Sequence, residues 1–177
     1  MKTFSRTRVE GWPLDAIGPV TARSFTNGGM VDAELIRIKP SFASNRVLVR
    51  MGHTQRITTQ ARPGQARFGG KGTPVCAVGH VESNKRCGHL LSLADEYECD
   101  ENATDPNTGK CVDPPIRLKS QFAATYRSSG GDSGGAVYSG HTAWAINWSG
   151  EGSPPSYSTP IFSITNMFPG FKVYGTR

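Results

Sequence analysis

One short stretch of the chain places a serine in a glycine-flanked turn, a setting in which a hydroxyl group can act as a nucleophile. Residues 130–138 read Gly-Gly-Asp-Ser-Gly-Gly-Ala-Val-Tyr, with Ser133 near the centre. Glycine adopts backbone angles that are closed to other residues and keeps Cβ atoms away from an approaching molecule. The amides of Gly131 and Ser133 can then point at one spot, which is how an oxyanion hole is built for acyl transfer. A plain flexible turn is the alternative, because Gly, Asp and Ser are all common turn residues.

Three further segments accompany this motif along the chain. Residues 31–38 (Val-Asp-Ala-Glu-Leu-Ile-Arg-Ile) are an apolar run opened by an aspartate, Cys76 and Cys87 bracket a short loop, and the tail from Tyr157 to Tyr174 contains Pro160. In this order the segments resemble the chymotrypsin-like serine proteases, and in particular the bacterial branch that includes alpha-lytic protease and the streptogrisins. The resemblance covers roughly residue 17 to the end of the chain. It implies a final strand and a short helix in the tail.

The resemblance implies a catalytic role for several of the matched residues. Ser133 would be the nucleophile, and Asp32 would hold the catalytic base in the correct tautomer. A capping or turn role is the alternative for Asp32. The amides of Gly131 and Ser133 would form the oxyanion hole, and Asp132 would make a buried ion pair that shapes this loop.

The resemblance also implies a set of substrate-binding residues. Asn147, Trp148 and Ser149 would form the edge that pairs with substrate, with Trp148 narrowing the mouth of the pocket. Arg127 stands where trypsin-like enzymes carry the acid that sets specificity. Ordinary core packing is the alternative for Trp148, and an outward-facing side chain is the alternative for Arg127.

The base is where the sequence departs from this family. The family's histidine precedes its aspartate, but residues 1–31 contain no histidine. The four histidines of the chain all follow Asp32, at His53, His80, His89 and His141. Each is expected to be a surface or packing residue rather than a replacement base.

Length and composition favour one all-β domain. The 177 residues include 21 glycines and 12 prolines, and short β-rich runs alternate with turn residues. These runs are 35–38, 46–51, 88–93, 121–126, 136–138 and 143–148. The resemblance implies, more specifically, a chymotrypsin-like double β-barrel, with residues 1–54 as an incomplete N-terminal barrel and linker and residues 55–177 as a complete C-terminal barrel. Because part of a barrel cannot close on itself, residues 1–45 are expected to pack poorly or to pair with another segment.

The cysteines predict an oxidising compartment. Cys76 and Cys87 form one close pair and Cys99 and Cys111 another, which suggests two disulfides. Zinc binding is the competing interpretation, although the spacings contain no C-x-x-C. No export signal is visible at the start of the sequence, so we expect a secreted protein whose N-terminal portion, including the signal, is missing.

The chain has a net charge of +6, and its charged residues are distributed unevenly along the sequence. Residues 95–113 carry half of the acids, and the segment from Arg46 to Lys71 carries six cations and no acid. A basic stretch of this kind can steer a polyanion such as nucleic acid or a cell-wall polymer. A solvated basic face is favoured, and nucleic acid is not an expected partner, because Phe68 is the single base-stacking aromatic residue interleaved in this stretch. No cofactor or resident metal is expected, although a loose calcium site in the acidic loop of residues 95–113 stays open. No apolar run is long enough to span a membrane.

These observations predict a serine-type endopeptidase that cleaves polypeptide substrates through an acyl-enzyme on Ser133. Without a histidine before Asp32, this chain is expected to be weakly active or inactive, with a missing N-terminal segment as its partner. The alternative is a non-catalytic, protease-like module that binds proteins or polyanions. An intact Gly-Asp-Ser-Gly-Gly motif favours the enzyme, since a binding module has no need of a glycine-flanked serine.

Overall fold

The computed structural model describes residues 20–24, 27–31, 33–37, 43–50, 52–80, 85–98, 108, 116–150 and 152–173. Within these ranges the chain forms eleven strands and one helix. They are β1 (Val20–Ser24), β2 (Ala33–Ile36), β3 (Arg46–Arg50), β4 (His53–Arg56), β5 (Thr59–Gln60), β6 (Pro74–Ala77), β7 (Arg86–Glu98), β8 (Ile116–Ala124), β9 (Ala136–Ser139), β10 (Thr142–Ser149), β11 (Ser156–Pro160) and α1 (Ile161–Met167). The prediction of an all-β protein is therefore confirmed. None of the helical structure in the described ranges is long and apolar enough to cross a membrane.

The six strands from β6 to β11 form a closed ring. Their order is β11-β8-β7-β6-β9-β10, and β10 returns to pair with β11. All six contacts are antiparallel, whereas β5 lies parallel to the start of β10. Gly88 lets β7 approach the end of β8 closely, because a side chain at this position would overlap the backbone of Tyr126. Because β10 pairs with both β9 and β11, the chain that follows β8 returns to the neighbourhood of Ser133.

The ring encloses a core centred on Phe122. Its aromatic ring lies 6.0 Å from Phe68, 6.4 Å from Trp144 and 5.9 Å from Phe162, measured between ring centroids. Phe122 itself is fully buried. Helix α1 closes one side of the core with Ile161 and Ile164. The apolar face of the helix thus fixes the end of β11 against β10.

The N-terminal strands form two separate hairpins, β1–β2 and β3–β4. Between β1 and β2 the chain attaches to the ring: the amide of Gly28 donates to the carbonyl of Arg117 at 2.7 Å, and the amide of Lys119 donates to the carbonyl of Gly29 at 2.7 Å. Val31 follows this contact and is buried. The sequence predicts that residues 1–45 either pack poorly or pair with another segment. Residues 27–31 do the second, because they pair with β8.

Candidate active site

The turn that carries Ser133 is held by hydrogen bonds on both sides of the serine. On the N-terminal side, the amide of Asp132 donates to the carbonyl of Ser129, and the amide of Ser129 donates to Oδ2 of Asp132, both at 3.0 Å. Gly131 has a φ of 96°, an angle that glycine adopts without strain. On the C-terminal side, the amide of Gly135 donates to the carbonyl of Asp132 at 3.0 Å. The turn is therefore a fixed structure rather than a flexible connection.

The carboxylate of Asp132 is buried against the chain that follows β6. A side chain at Gly79 would overlap this carboxylate, so the backbone of Gly79 packs directly against the side chain of Asp132. Asp132 is 3% exposed and lies beside a small cavity that Arg86 and Arg127 also line. The ion pair predicted for Asp132 stays a prediction, but the burial of this carboxylate is consistent with it.

Asn147 ties the serine turn to the ring. Its backbone carbonyl accepts from the amide of Gly134 and its amide donates to the carbonyl of Gly135, both at 2.8 Å. Its side chain donates to the carbonyl of Asp132 at 3.3 Å and accepts from the hydroxyl of Tyr126 at 3.0 Å. Asn147 and Tyr126 are both buried, and this burial raises the pKa of Tyr126. Asn147 thus positions the turn, a role that its sequence context does not indicate.

Ser133 itself is exposed, and its hydroxyl donates to the carbonyl of Trp148 at 2.8 Å. Among the described residues, no carbonyl accepts a hydrogen bond from the amide of Gly131 or of Ser133. Both predicted oxyanion donors are therefore available to a ligand within this part of the chain. An oxyanion hole needs donors that are not already engaged by the protein, and these two amides meet that condition among the described residues.

Two cavities meet at Ser133. The first has a volume of about 650 Å³ and is lined by Leu48, Val78, His80 and the serine turn. The second has a volume of about 430 Å³ and lies between the turn, the end of β10 and α1. It is predominantly apolar and includes Ala33 and Leu35 of β2. Both volumes lie within the range of small-ligand pockets.

Asp32 lies outside the described residues. Its neighbours in sequence are placed, however: Val31 is buried and Ala33 lines the second cavity together with Ser133. Two described residues of this segment, Ala33 and Leu35, therefore line the same cavity as Ser133. The role of Asp32 stays a prediction.

The other predicted substrate-binding residues lie around the end of β10. Trp148 lines the second cavity, and the carbonyl of Ser149 accepts from the hydroxyl of Ser128 at 3.3 Å. Arg127 is exposed, as its outward-facing alternative requires. Gly150 packs so tightly on Ser128 that a side chain there would overlap it. The two chain segments expected to form the specificity pocket are thus in direct contact.

None of the four histidines, all of which are described, hydrogen-bonds Ser133. His141 contacts the carbonyl of Arg56 at 2.8 Å, His89 contacts the hydroxyl of Thr125 at 3.3 Å, and His53 lies in β4. His80 is the one that lines a cavity with Ser133. Its position depends on the packing of Gly79 against Asp132, a tertiary contact that no local sequence pattern signals.

The cysteines divide between described and undescribed residues. Cys76 and Cys87 form a disulfide between β6 and β7, as predicted. Cys99 and Cys111 lie outside the described residues, as does most of the acidic loop. At its described start, Asp95 pairs with Arg117, and the guanidinium of Arg117 holds the pKa of Asp95 below its usual value. The disulfide closes the hairpin that leads to Gly79 and the serine turn.

Comparison with known proteins identifies the fold. Solved structures that resemble the chain include a chymotrypsin of Cellulomonas bogoriensis (18% identity, TM-score 0.62) and protease A of Thermobifida fusca (20% identity, TM-score 0.62). A glutamic-acid-specific serine protease that uses a histidine triad in substrate binding is similar at 19% identity and a TM-score of 0.63. These matches cover 84–86% of this chain and 70–71% of the other chains. No family model and no curated protein matches the sequence.

The structural neighbours are bacterial chymotrypsin-like serine proteases. The chain therefore has the chymotrypsin-like fold, in agreement with the resemblance found in the sequence. The neighbours are also consistent with the streptogrisin branch.

Proposed function

We propose that this chain is a serine-type peptidase of the chymotrypsin and streptogrisin kind, with Ser133 as its nucleophile. The observation that carries the proposal is the serine turn. An exposed hydroxyl stands beside two amides that no described carbonyl engages, and buried contacts of Asp132 and Asn147 hold the turn in place. Preorganised donors of this kind contribute a large share of the rate of acyl transfer. The structural neighbours are proteases, and this supports a polypeptide as the substrate.

In the proposed reaction, Oγ of Ser133 forms a bond to the scissile carbonyl carbon and the peptide C–N bond breaks. The serine proton must pass to a base and then to the leaving amine, and water later releases the acyl group. Asp32 is proposed to orient that base. Asn147, Trp148, Ser149 and Arg127 are proposed to surround the substrate, with Asn147 acting through the turn that it holds.

The base is the missing part of this mechanism. Because none of the four histidines contacts Ser133 through a hydrogen bond, we propose that the 177-residue chain acylates slowly by itself. An oxyanion hole and substrate binding without the full triad still give roughly 10³ to 10⁴ over the uncatalysed rate. We also propose a division at residue 54 between an N-terminal part and a C-terminal barrel, and secretion into an oxidising compartment, which the Cys76–Cys87 disulfide supports.

The test is covalent labelling with a fluorophosphonate probe, followed by peptide mapping. We expect slow labelling of Ser133 that is lost in Ser133→Ala and accelerated by added imidazole, which supplies a base in solution. Ser139 at the end of β9 is a matched serine outside the site, and its replacement by alanine should leave labelling unchanged. Rapid stoichiometric labelling without imidazole would contradict the missing base while supporting Ser133 as the nucleophile.

A non-catalytic binding module is the second candidate. The observation in its favour is the hydrogen bond from Ser133 to the carbonyl of Trp148, which occupies the hydroxyl in a contact without a base. This candidate predicts no labelling of Ser133 at any imidazole concentration. That outcome would reject the peptidase proposal.

A further inference from the structure

A cationic cleft lies at the opposite end of β10 from the serine turn. It has a volume of about 730 Å³ and is lined by side chains that include Arg62, Arg67 and Lys172. Thr142, the first residue of β10, also lines it, whereas Trp148 at the other end of the strand contacts Ser133. Six residues of strand separate these positions by about 20 Å, at roughly 3.3 Å per residue. The cleft is therefore separate from the candidate active site, and binding there does not require Ser133 to act as a nucleophile.

The charge of the cleft is of one sign. None of the described residues that line it is acidic. Within the described ranges, no carboxylate forms an ion pair with Arg62, Arg67 or Lys172. Three cations converge on one concave surface without local neutralisation, which favours an anionic ligand.

The neutral polar groups of the cleft also favour an anion. The side-chain oxygen of Gln60 accepts from the amide of Val173 at 3.0 Å, and that of Gln65 accepts from the amide of Arg62 at 2.7 Å. Each glutamine therefore uses its acceptor on the backbone and keeps its NH₂ group as the donor for a ligand. Cations and N–H donors line this surface together.

The backbone around the two arginines is fixed before any ligand arrives. The amide of Gln65 donates back to the carbonyl of Arg62 at 3.2 Å, across a turn in which Gly64 has a φ of 79°. Arg67 is joined to Thr73 twice, through its amide to the threonine hydroxyl at 2.9 Å and through its carbonyl to the threonine amide at 2.8 Å. A preorganised backbone reduces the entropy lost on binding.

The aromatic residue in the cleft decides between kinds of anion. Trp144 lines the cleft but is 7% exposed, and its ring packs on Phe122. It offers no open ring face for a nucleobase, which single-stranded nucleic acid sites normally provide. Charge and N–H donors remain as the means of recognition, and guanidinium groups pair well with phosphate oxygens.

We propose that this cleft binds an oligophosphate, a chain of linked phosphate groups with several negative charges. Three separated cations suit a ligand that carries more than one anionic group, and the cleft is larger than a single phosphate requires. The same chemistry is presented by inorganic polyphosphate and by the phosphate chain of a nucleotide. The basic stretch between Arg46 and Lys71 thus contributes Arg62 and Arg67 to a defined site.

The proposal is tested by calorimetric titration of the full chain with tripolyphosphate. Replacing Arg62, Arg67 and Lys172 together by glutamine should raise the dissociation constant at least tenfold. The matched control replaces the exposed Arg46, Arg50 and Arg56 of the β3–β4 hairpin by glutamine, which removes the same charge elsewhere. It should change the dissociation constant less than threefold. Equal loss in both variants, or no binding by the unaltered chain, overturns the proposal.

Two further arms define the ligand. Citrate also carries several negative charges, but on carboxylates, so binding as tight as that of tripolyphosphate would overturn the assignment to phosphate. Adenosine triphosphate distinguishes the source: tighter binding than tripolyphosphate indicates a nucleotide, and equal or weaker binding indicates an inorganic chain. Thermal unfolding midpoints confirm that each variant is folded, and Lys172→Gln, at an exposed position, replaces the triple variant if that variant unfolds.

Discussion

The buried hydrogen bond between Tyr126 and Asn147 gives a quantitative prediction about the support of the serine turn. Tyr126 is 1% exposed and Asn147 is 2% exposed, so water cannot replace either partner. Asn147→Ala removes the acceptor of the tyrosine hydroxyl and the donor to the carbonyl of Asp132. A buried polar group left without a partner costs about 1–3 kcal/mol. With two groups affected, we expect the free energy of unfolding to fall by about 2–6 kcal/mol.

A double-mutant cycle separates this hydrogen bond from the loss of packing. Tyr126→Phe keeps the ring and removes the hydroxyl, and the free energies of unfolding of both single variants and the double variant are measured by urea denaturation. Because the two side chains contact each other directly, we expect a coupling energy of about 1 kcal/mol. Additive effects, with a coupling below about 0.3 kcal/mol, would refute the view that these two groups act as a unit.

Three other predictions concern the same framework. Gly135→Ala should destabilise the fold by more than about 2 kcal/mol in urea denaturation, because its Cβ would overlap the carbonyl of Val78, whereas Gly130→Ala, with nothing near its Cβ, should cost less than about 0.5 kcal/mol. Replacing Cys76 and Cys87 together by alanine, which leaves the predicted Cys99–Cys111 pair untouched, should lower the free energy of unfolding by about 3 kcal/mol; an unchanged midpoint would contradict this. Because burial raises the pKa of Tyr126, only the unfolded chain loses the tyrosine proton near the ordinary pKa of 10.0. The free energy of unfolding should therefore be unaffected below pH 10 and fall above it by about 1.4 kcal/mol per pH unit. Tyr126→Phe should reduce this slope.

The sequence predicts the strands whose composition is strongly β-forming. The runs that correspond to β9 and β10 are rich in aromatic and aliphatic residues, and both begin and end within two residues of the prediction. The polar strand β4 and the proline-led β6 are not predicted, since neither shows an alternating apolar pattern. Such strands form because neighbouring strands supply their hydrogen bonds.

The longest strand shows why local composition underestimates length. The predicted run ends at Leu93, whereas β7 continues to Glu98 through a charged segment. Asp95 is accommodated there by pairing with Arg117 on the adjacent β8. A cross-strand partner of this kind is distant in sequence, so the residues of β7 alone do not reveal it.

The sequence predicts those parts of the candidate site that lie in one contiguous motif, but not those that depend on contacts between distant segments. The glycine turn around Ser133 follows from a contiguous motif. The support by Asn147 and Tyr126 depends on the packing of β8 against β10, and the position of His80 on the cavity that Ser133 lines depends on the packing of the β6–β7 hairpin against the serine turn. The pattern of residues in a single sequence does not reveal such tertiary contacts.

The contrast between the closed ring and the two N-terminal hairpins has a consequence for how the molecule opens. Amides in the ring are shielded by partners on both sides, so their exchange with deuterated solvent requires disruption of the whole domain. The hairpins β1–β2 and β3–β4 are two-stranded and carry exposed apolar side chains such as Val20 and Leu48. Their amides should exchange through small local fluctuations, orders of magnitude sooner. Where the described edges of these hairpins have no neighbouring strand, an additional strand would find hydrogen-bonding groups ready to receive it.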